Sequence, residues 1–260
     1  MDRAAHAAAH LGGGARASGA GAAEVARAAL AAAEEEAEAF GASTALVVAF
    51  EDGVLGAANL GDSGFAVLRR TAETGSWTVV ARSKEQQHYW NCPYQLMRLP
   101  QSLHSKLRPG YKIDTAADCE SYEVVAQAGD LLLLFTDGLS DNLHEAEVLQ
   151  LVEHAFSSSE SGLCCTAEAH PLLAAAAATA DPLADPPAPE GLAESLARAA
   201  LACSTDPEAK TPFAEACRQQ GRQFHGGKPD DITVVAAWVL PAEAAQASGS
   251  PAWGRGLLPN

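Results

Sequence analysis

Between Ser43 and Phe135 the chain repeats one device, a short apolar or β-branched segment followed by a brief turn. Ser43 to Phe50 reads as a strand, Glu51-Asp52-Gly53 as a hairpin turn, and Val54 to Leu60 as the returning strand. Asp62-Ser63-Gly64 then breaks the chain before Phe65 to Arg69, and Trp77 to Ala81 follows the Thr74-Gly75 turn. Tyr122 to Val125 and Leu131 to Phe135 continue the series. Turns this short cannot hold the crossover that a parallel pair needs, so the strands are expected to pair antiparallel. Leu131 to Phe135 is apolar at every position and is predicted to be buried on both faces.

Helical patterning flanks the strands. It runs from about Glu24 to Phe40, where the Glu34–Glu36 run marks a solvated face, and returns at Glu145 to Phe156, Leu192 to Cys203 and Pro212 to Gln220. A last strand is expected over Ile232 to Leu240. The domain is therefore placed at residues 24–240. Residues 157–191 are rich in Ser, Ala and Pro and are expected to form a disordered insert, and 241–260 a disordered tail. Residues 1–23 are low in complexity, and suit an Arg-bearing transit segment or a disordered start equally.

Charge narrows the classes of partner. The formal net charge of −16 comes with no Lys/Arg cluster, so a nucleic-acid backbone is not an expected partner. No apolar run approaches the ~20 residues of a membrane span. The six cysteines include no C-x-x-C pair, which fits reduced thiols inside a cell. Oligomeric state is not legible.

Three segments share an aspartate at a strand boundary beside a small or turn-forming residue. They are Gly61-Asp62-Ser63, Asp137-Gly138-Leu139-Ser140-Asp141 and Asp230-Asp231-Ile232-Thr233. Taken singly, each reads as a turn in which Asp caps its own backbone. Strand ends at one sheet edge, however, can gather carboxylates from distant positions, and Mg²⁺ and Mn²⁺ take such oxygen ligands.

In order along the chain, Gly41 to Ala45, Asn59 to Gly64, Gly129-Asp130 with Leu131 to Gly138, and Lys228 to Val234 resemble the successive motifs of the protein phosphatase 2C family. Gln86 to Tyr89, Asn91 to Leu96, Pro212 to Ala214 and Gly226 to Pro229 resemble one branch of it, whose best-known members work in mitochondria and plastids. The likeness covers roughly residues 41–155 and 192–240.

That resemblance implies an α+β fold, a four-layer αββα sandwich of two antiparallel sheets flanked by helices. It implies a phosphoprotein substrate and metal-assisted hydrolysis of phosphoserine and phosphothreonine monoesters at a binuclear Mn²⁺ or Mg²⁺ site. Asp137 and Asp230 match ligands of that metal pair. Asp62 and Asp141 match positions that hold a weaker third metal in some members. Asp231 stands where many relatives carry Asn and is expected behind the ligands. His88, in the branch motif, is read either as a packed loop residue or as one that touches substrate. A chloroplast or mitochondrial location follows from the branch alone.

The resemblance departs at one place. The family's other metal residues precede Gly41, among them an Asp-Gly whose carboxylate bridges both metals, and residues 1–40 contain no Asp-Gly. The N-terminal metal-binding segment and its strands are thus expected to be missing. The alternative to an enzyme is a catalytically inactive phosphatase-like binding module, or a truncated fragment.

Overall fold

A computed structural model describes residues 20–104, 106–107, 110, 112–161 and 186–241. Most of the expected N-terminal segment, residues 162–185 of the insert expected at 157–191, and the tail from 242 lie outside the described residues, while 157–161 and 189–191 are helical.

In chain order the elements are α1 (Ala22–Glu36), β1 (Gly41–Ser43), β2 (Ala45–Glu51), β3 (Val54–Leu60), β4 (Gly64–Arg70), β5 (Trp77–Arg82), β6 (Gln87–Tyr89), β7 (Cys92–Pro93) and β8 (Leu96–Arg98). They continue with α2 (Gln101–His104), a 3₁₀ turn (Ala116–Asp118), β9 (Glu120–Val125), β10 (Leu131–Phe135), α3 (Asp137–Ser140), α4 (Glu145–Ser161), α5 (Pro189–Thr205), α6 (Pro212–Gln219) and β11 (Val234–Trp238). Every strand ladder is antiparallel, as the short turns predict.

The chain divides into two compact units. One comprises the described residues of 20–63, 83–127 and 240–241, and carries the three-stranded sheet β2-β3-β9. Asp52 and Gly53 take positive φ, as a tight hairpin between β2 and β3 requires. Helix α1 lies on this sheet through Ala26 and Leu30, which pack with Ala58 and Ala116. It comes so close that a Cβ on Gly56 would stand 2.0 Å from the Ala22 carbonyl carbon, and only glycine fits there. The helix ends at Glu36, four residues short of the patterned end at Phe40. The strand expected from Ser43 is split at Thr44, where β1 leaves to pair with β8.

The other unit comprises the described residues of 64–82 and 128–239, with sheet order β11-β10-β4-β5. Leu131 and Leu133 of β10 are buried, but Leu132, Leu134 and Phe135 are only half-buried, so the expectation of two buried faces holds for one. The buried face meets α4 and α5 in a core that includes Trp77, Leu139, Val152, Phe156, Leu192 and Leu196. Trp77, Phe156 and Trp238 form a ring cluster with centroids 5.0–5.8 Å apart. Helices α4 and α5 extend past the patterned limits, to Ser161 and from Pro189, and the last strand is shorter than its pattern. None of the described helices is long and apolar enough to cross a membrane.

Candidate metal centre

The register of two strands brings the acidic segments together. Phe135 at the end of β10 faces Val234 at the start of β11. Asp137 therefore leaves the sheet at the same edge at which Asp230 and Asp231 approach it. Thr136 fastens the two segments: its hydroxyl donates to the Asp231 carbonyl at 2.8 Å and accepts the Thr233 N–H at 3.0 Å. Gly138 allows the approach, because a Cβ there would lie 2.7 Å from the Asp231 carbonyl oxygen.

A second fastening comes from Asn142, which is buried. Its amide nitrogen donates to the carbonyls of Gly138 and Lys228, each at 2.9 Å, and its oxygen accepts the Lys228 N–H at 2.9 Å. Such reciprocal bonds satisfy buried backbone groups of the loop that would otherwise be costly.

On this frame the carboxylates of Asp137, Asp141 and Asp230 place one oxygen each within 4.8 Å of one another. Asp137 and Asp141 share a face because they stand four residues apart across one helical turn. Among the three lies the ammonium of Lys228. Its Nζ is 2.7 Å from Asp137 Oδ2, 2.5 Å from Asp141 Oδ2 and 3.1 Å from Asp230 Oδ2. It also stands 4.9 Å from the centre of the Phe213 ring. Burial pulls the Lys228 pKa down, but hydrogen bonds and Coulombic attraction from Asp137 and Asp141 outweigh it, and the net direction is upward. Lys228 is charged at any physiological pH.

Three converging carboxylates repel unless a cation lies among them, and here the ammonium does. The donors are all hard oxygens, and Asp230 is open to solvent. The set fits an oxygen-seeking divalent cation such as Mg²⁺ or Mn²⁺.

The predicted residues divide unevenly. Asp137 and Asp230 meet, and Asp141 joins them. Asp231 contributes backbone: its N–H donates to Asp230 Oδ1 at 2.9 Å and its carbonyl receives Thr136, while its side chain is exposed. Asp62 belongs to the other unit, half-buried at the turn after β3. There Gln86 of the branch motif grips the preceding residue, its N–H donating to the Gly61 carbonyl and its Oε1 accepting the Gly61 N–H. His88 stacks on Tyr94 with ring centroids 4.2 Å apart, and its Nε2 lies 2.8 Å from the buried Asp114 carboxylate. Sequence reasoning gave Lys228, Asn142 and Thr136 no role. The basic residue directly before Pro229-Asp230 was the available signal.

The model of the protein phosphatase 2C family matches residues 4–163, more than half of the chain. The chain belongs to the protein phosphatase 2C family. Among curated phosphatases of this type, a probable protein phosphatase 2C 80 of Arabidopsis thaliana is 31% identical over 80% of this chain and 39% of its own length. The protein phosphatase PTC7 homolog of Homo sapiens is 34% identical over 75% of this chain and 53% of its own. The chain thus spans about half, or less, of the curated relatives it matches. Among solved phosphatase 2C-like folds, the X-ray structure of the photosystem II phosphatase PBCP superposes with a TM-score of 0.59 at 22% identity, covering 82% of this chain and 70% of that one. That likeness establishes the α+β fold of antiparallel sheets and helices.

Proposed function

We propose that this chain serves metal-dependent hydrolysis of phosphoserine and phosphothreonine monoesters in proteins. The observation that carries the reading is the convergence of Asp137, Asp141 and Asp230 within 4.8 Å in a chain of the phosphatase 2C family. Asp137 and Asp230 are the ligands for Mn²⁺ or Mg²⁺, which take the same oxygen donors, and Asp141 is either a third ligand of the same ion or a ligand of a neighbouring one. Such ions supply Lewis-acid activation of water and charge compensation on the phosphoryl oxygens.

The protein's own part is placement. Thr136 and Asn142 hold the 228–233 segment against the 136–142 segment, so the three carboxylates keep their spacing without relying on loop flexibility. Asp230 is the most open of the three.

The test is phosphate release from a phosphothreonine peptide, in Mn²⁺ or in EDTA, by the chain and by Asp137→Ala. Release that needs both Mn²⁺ and Asp137 supports the reading. No release from a folded protein that also binds no Mn²⁺ removes it.

A further inference from the structure

The ammonium of Lys228 lies among the three carboxylates that would hold a metal. Oxygens of three carboxylates lie 2.5–3.1 Å from its nitrogen. A hard divalent cation sits ~2.1 Å from each oxygen ligand, so it would require nearly the same point in space. Two positive centres cannot share that point. We propose that Lys228 is a tethered exchange cation: it fills the carboxylate cluster when no metal is present and is displaced when a divalent ion enters.

Two observations on this chain and the chemistry of lysine support the assignment. The ammonium is engaged by carboxylates from two separate segments, so it is not a solvated surface pair. The Lys228 backbone is fixed by Asn142 on both its N–H and its carbonyl, which leaves the side chain alone to move. Lysine also suits the task chemically, since a compact ammonium on a flexible four-carbon stem swings out more easily than a planar guanidinium bound in a fork.

The consequence is a threshold. Any metal must compete with an internal cation that never diffuses away, so Lys228 weakens apparent metal affinity while keeping the metal-free cluster from repelling itself open. This rests on the reading of the cluster as a divalent-cation site.

The test compares Mn²⁺ binding, by electron paramagnetic resonance of free Mn²⁺, in the full chain and in Lys228→Met. The expected result is binding on the order of tenfold tighter in the variant, the scale of losing a charge-assisted competitor. Its melting temperature should fall in EDTA, and the gap should close in saturating Mn²⁺. A second measurement needs no variant: amine acylation by an N-hydroxysuccinimide ester, read by peptide mass spectrometry. Lys228 should be protected in EDTA and labelled once Mn²⁺ is added. Mn²⁺ binding of equal or lower affinity in K228M overturns the exchange, as does labelling indifferent to Mn²⁺. Failure of both proteins to bind Mn²⁺ would overturn the site reading and the exchange together, so the two are told apart.

Discussion

Asn142 and Lys228, 86 residues apart, are joined by two hydrogen bonds of 2.9 Å, the side-chain amide of one meeting both backbone groups of the other. A third bond at 2.9 Å runs from the same amide to Gly138. Asn142→Ala removes all three and leaves buried backbone groups without partners. The expected cost is about 2–4 kcal/mol of unfolding free energy, read by urea denaturation. Asn142→Asp should be no milder, because a carboxylate cannot donate to either carbonyl and adds negative charge beside three aspartates. Near-wild-type stability for both variants would show that water replaces the side chain.

Asp137 touches Lys228 and stands within reach of both other carboxylates. Residues that merely support a metal ligand cost about 10–100-fold in affinity when changed, so loss of a ligand itself should cost at least about 100-fold. Asp137→Asn is therefore expected to abolish measurable Mn²⁺ binding at micromolar concentrations while the far-ultraviolet circular dichroism is retained. Retained binding would assign the ion to other residues.

Gly138 tests whether spacing, rather than ligand identity alone, makes the site. Its added Cβ would meet backbone, the Asp231 carbonyl oxygen at 2.7 Å, and the Ile232 side chain at 2.9 Å. The carbonyl cannot yield without moving the segment that carries Asp230. Gly138→Ala should destabilise by about 1–3 kcal/mol. It should also weaken Mn²⁺ binding by roughly 10–100-fold, the range for residues that orient ligands. Isothermal titration and thermal melts on one preparation separate the two effects.

The parts of this architecture legible in the sequence are those set by local rules. Val54–Leu60 and Leu131–Phe135 match their patterned limits to the residue, because short apolar runs bounded by turn residues are set over a few positions. The meeting of Asp137 with Asp230 was legible from motif order, since both segments flank strands. Asp141 matches a weaker-site position by resemblance, and its spacing of four from Asp137 places the two on one helical face. Lys228 and Asn142 were not legible in their roles. Asn142 and Lys228 meet across 86 residues, Lys228 reaches Asp137 and Asp141 across 91 and 87, and contacts so remote leave no periodic trace. The end of α1 at Glu36 was missed for a different reason, as the Ala/Glu composition favours helix well beyond the point where packing on the sheet stops.

Acid should act on the other unit through Asp118. The Lys112 ammonium first, and then the Thr115 N–H, hold its carboxyl below the ordinary aspartate range. A depressed carboxyl contributes stability above its unfolded pKa and loses it as pH falls through the folded value. The difference in melting temperature between the protein and Asp118→Asn should thus be constant above about pH 5 and shrink steadily below about pH 4. A difference that instead grew on acidification would mean that the Lys112 pairing does not persist in solution.

Arg69 and Asp130 form an ion pair in the unit that carries Asp137. Two nitrogens of the guanidinium each donate at 2.7 Å to a carboxylate that is fully buried, while Arg69 itself is 26% exposed. The pair joins β4 to the turn just before β10, and the Asp130 carbonyl also accepts the Val239 N–H beyond β11. It therefore anchors the strand that ends at Asp137. Arg69→Met strips the carboxylate of its main charge partner and is expected to cost about 3–5 kcal/mol, because the uncompensated charge stays buried. Replacing both residues with apolar ones removes that charge, so Arg69→Met with Asp130→Leu should recover much of the loss. Urea unfolding of the single and double variants decides between the two accounts: a double variant no more stable than Arg69→Met would mean that the bidentate geometry, not charge compensation, holds β10 in place.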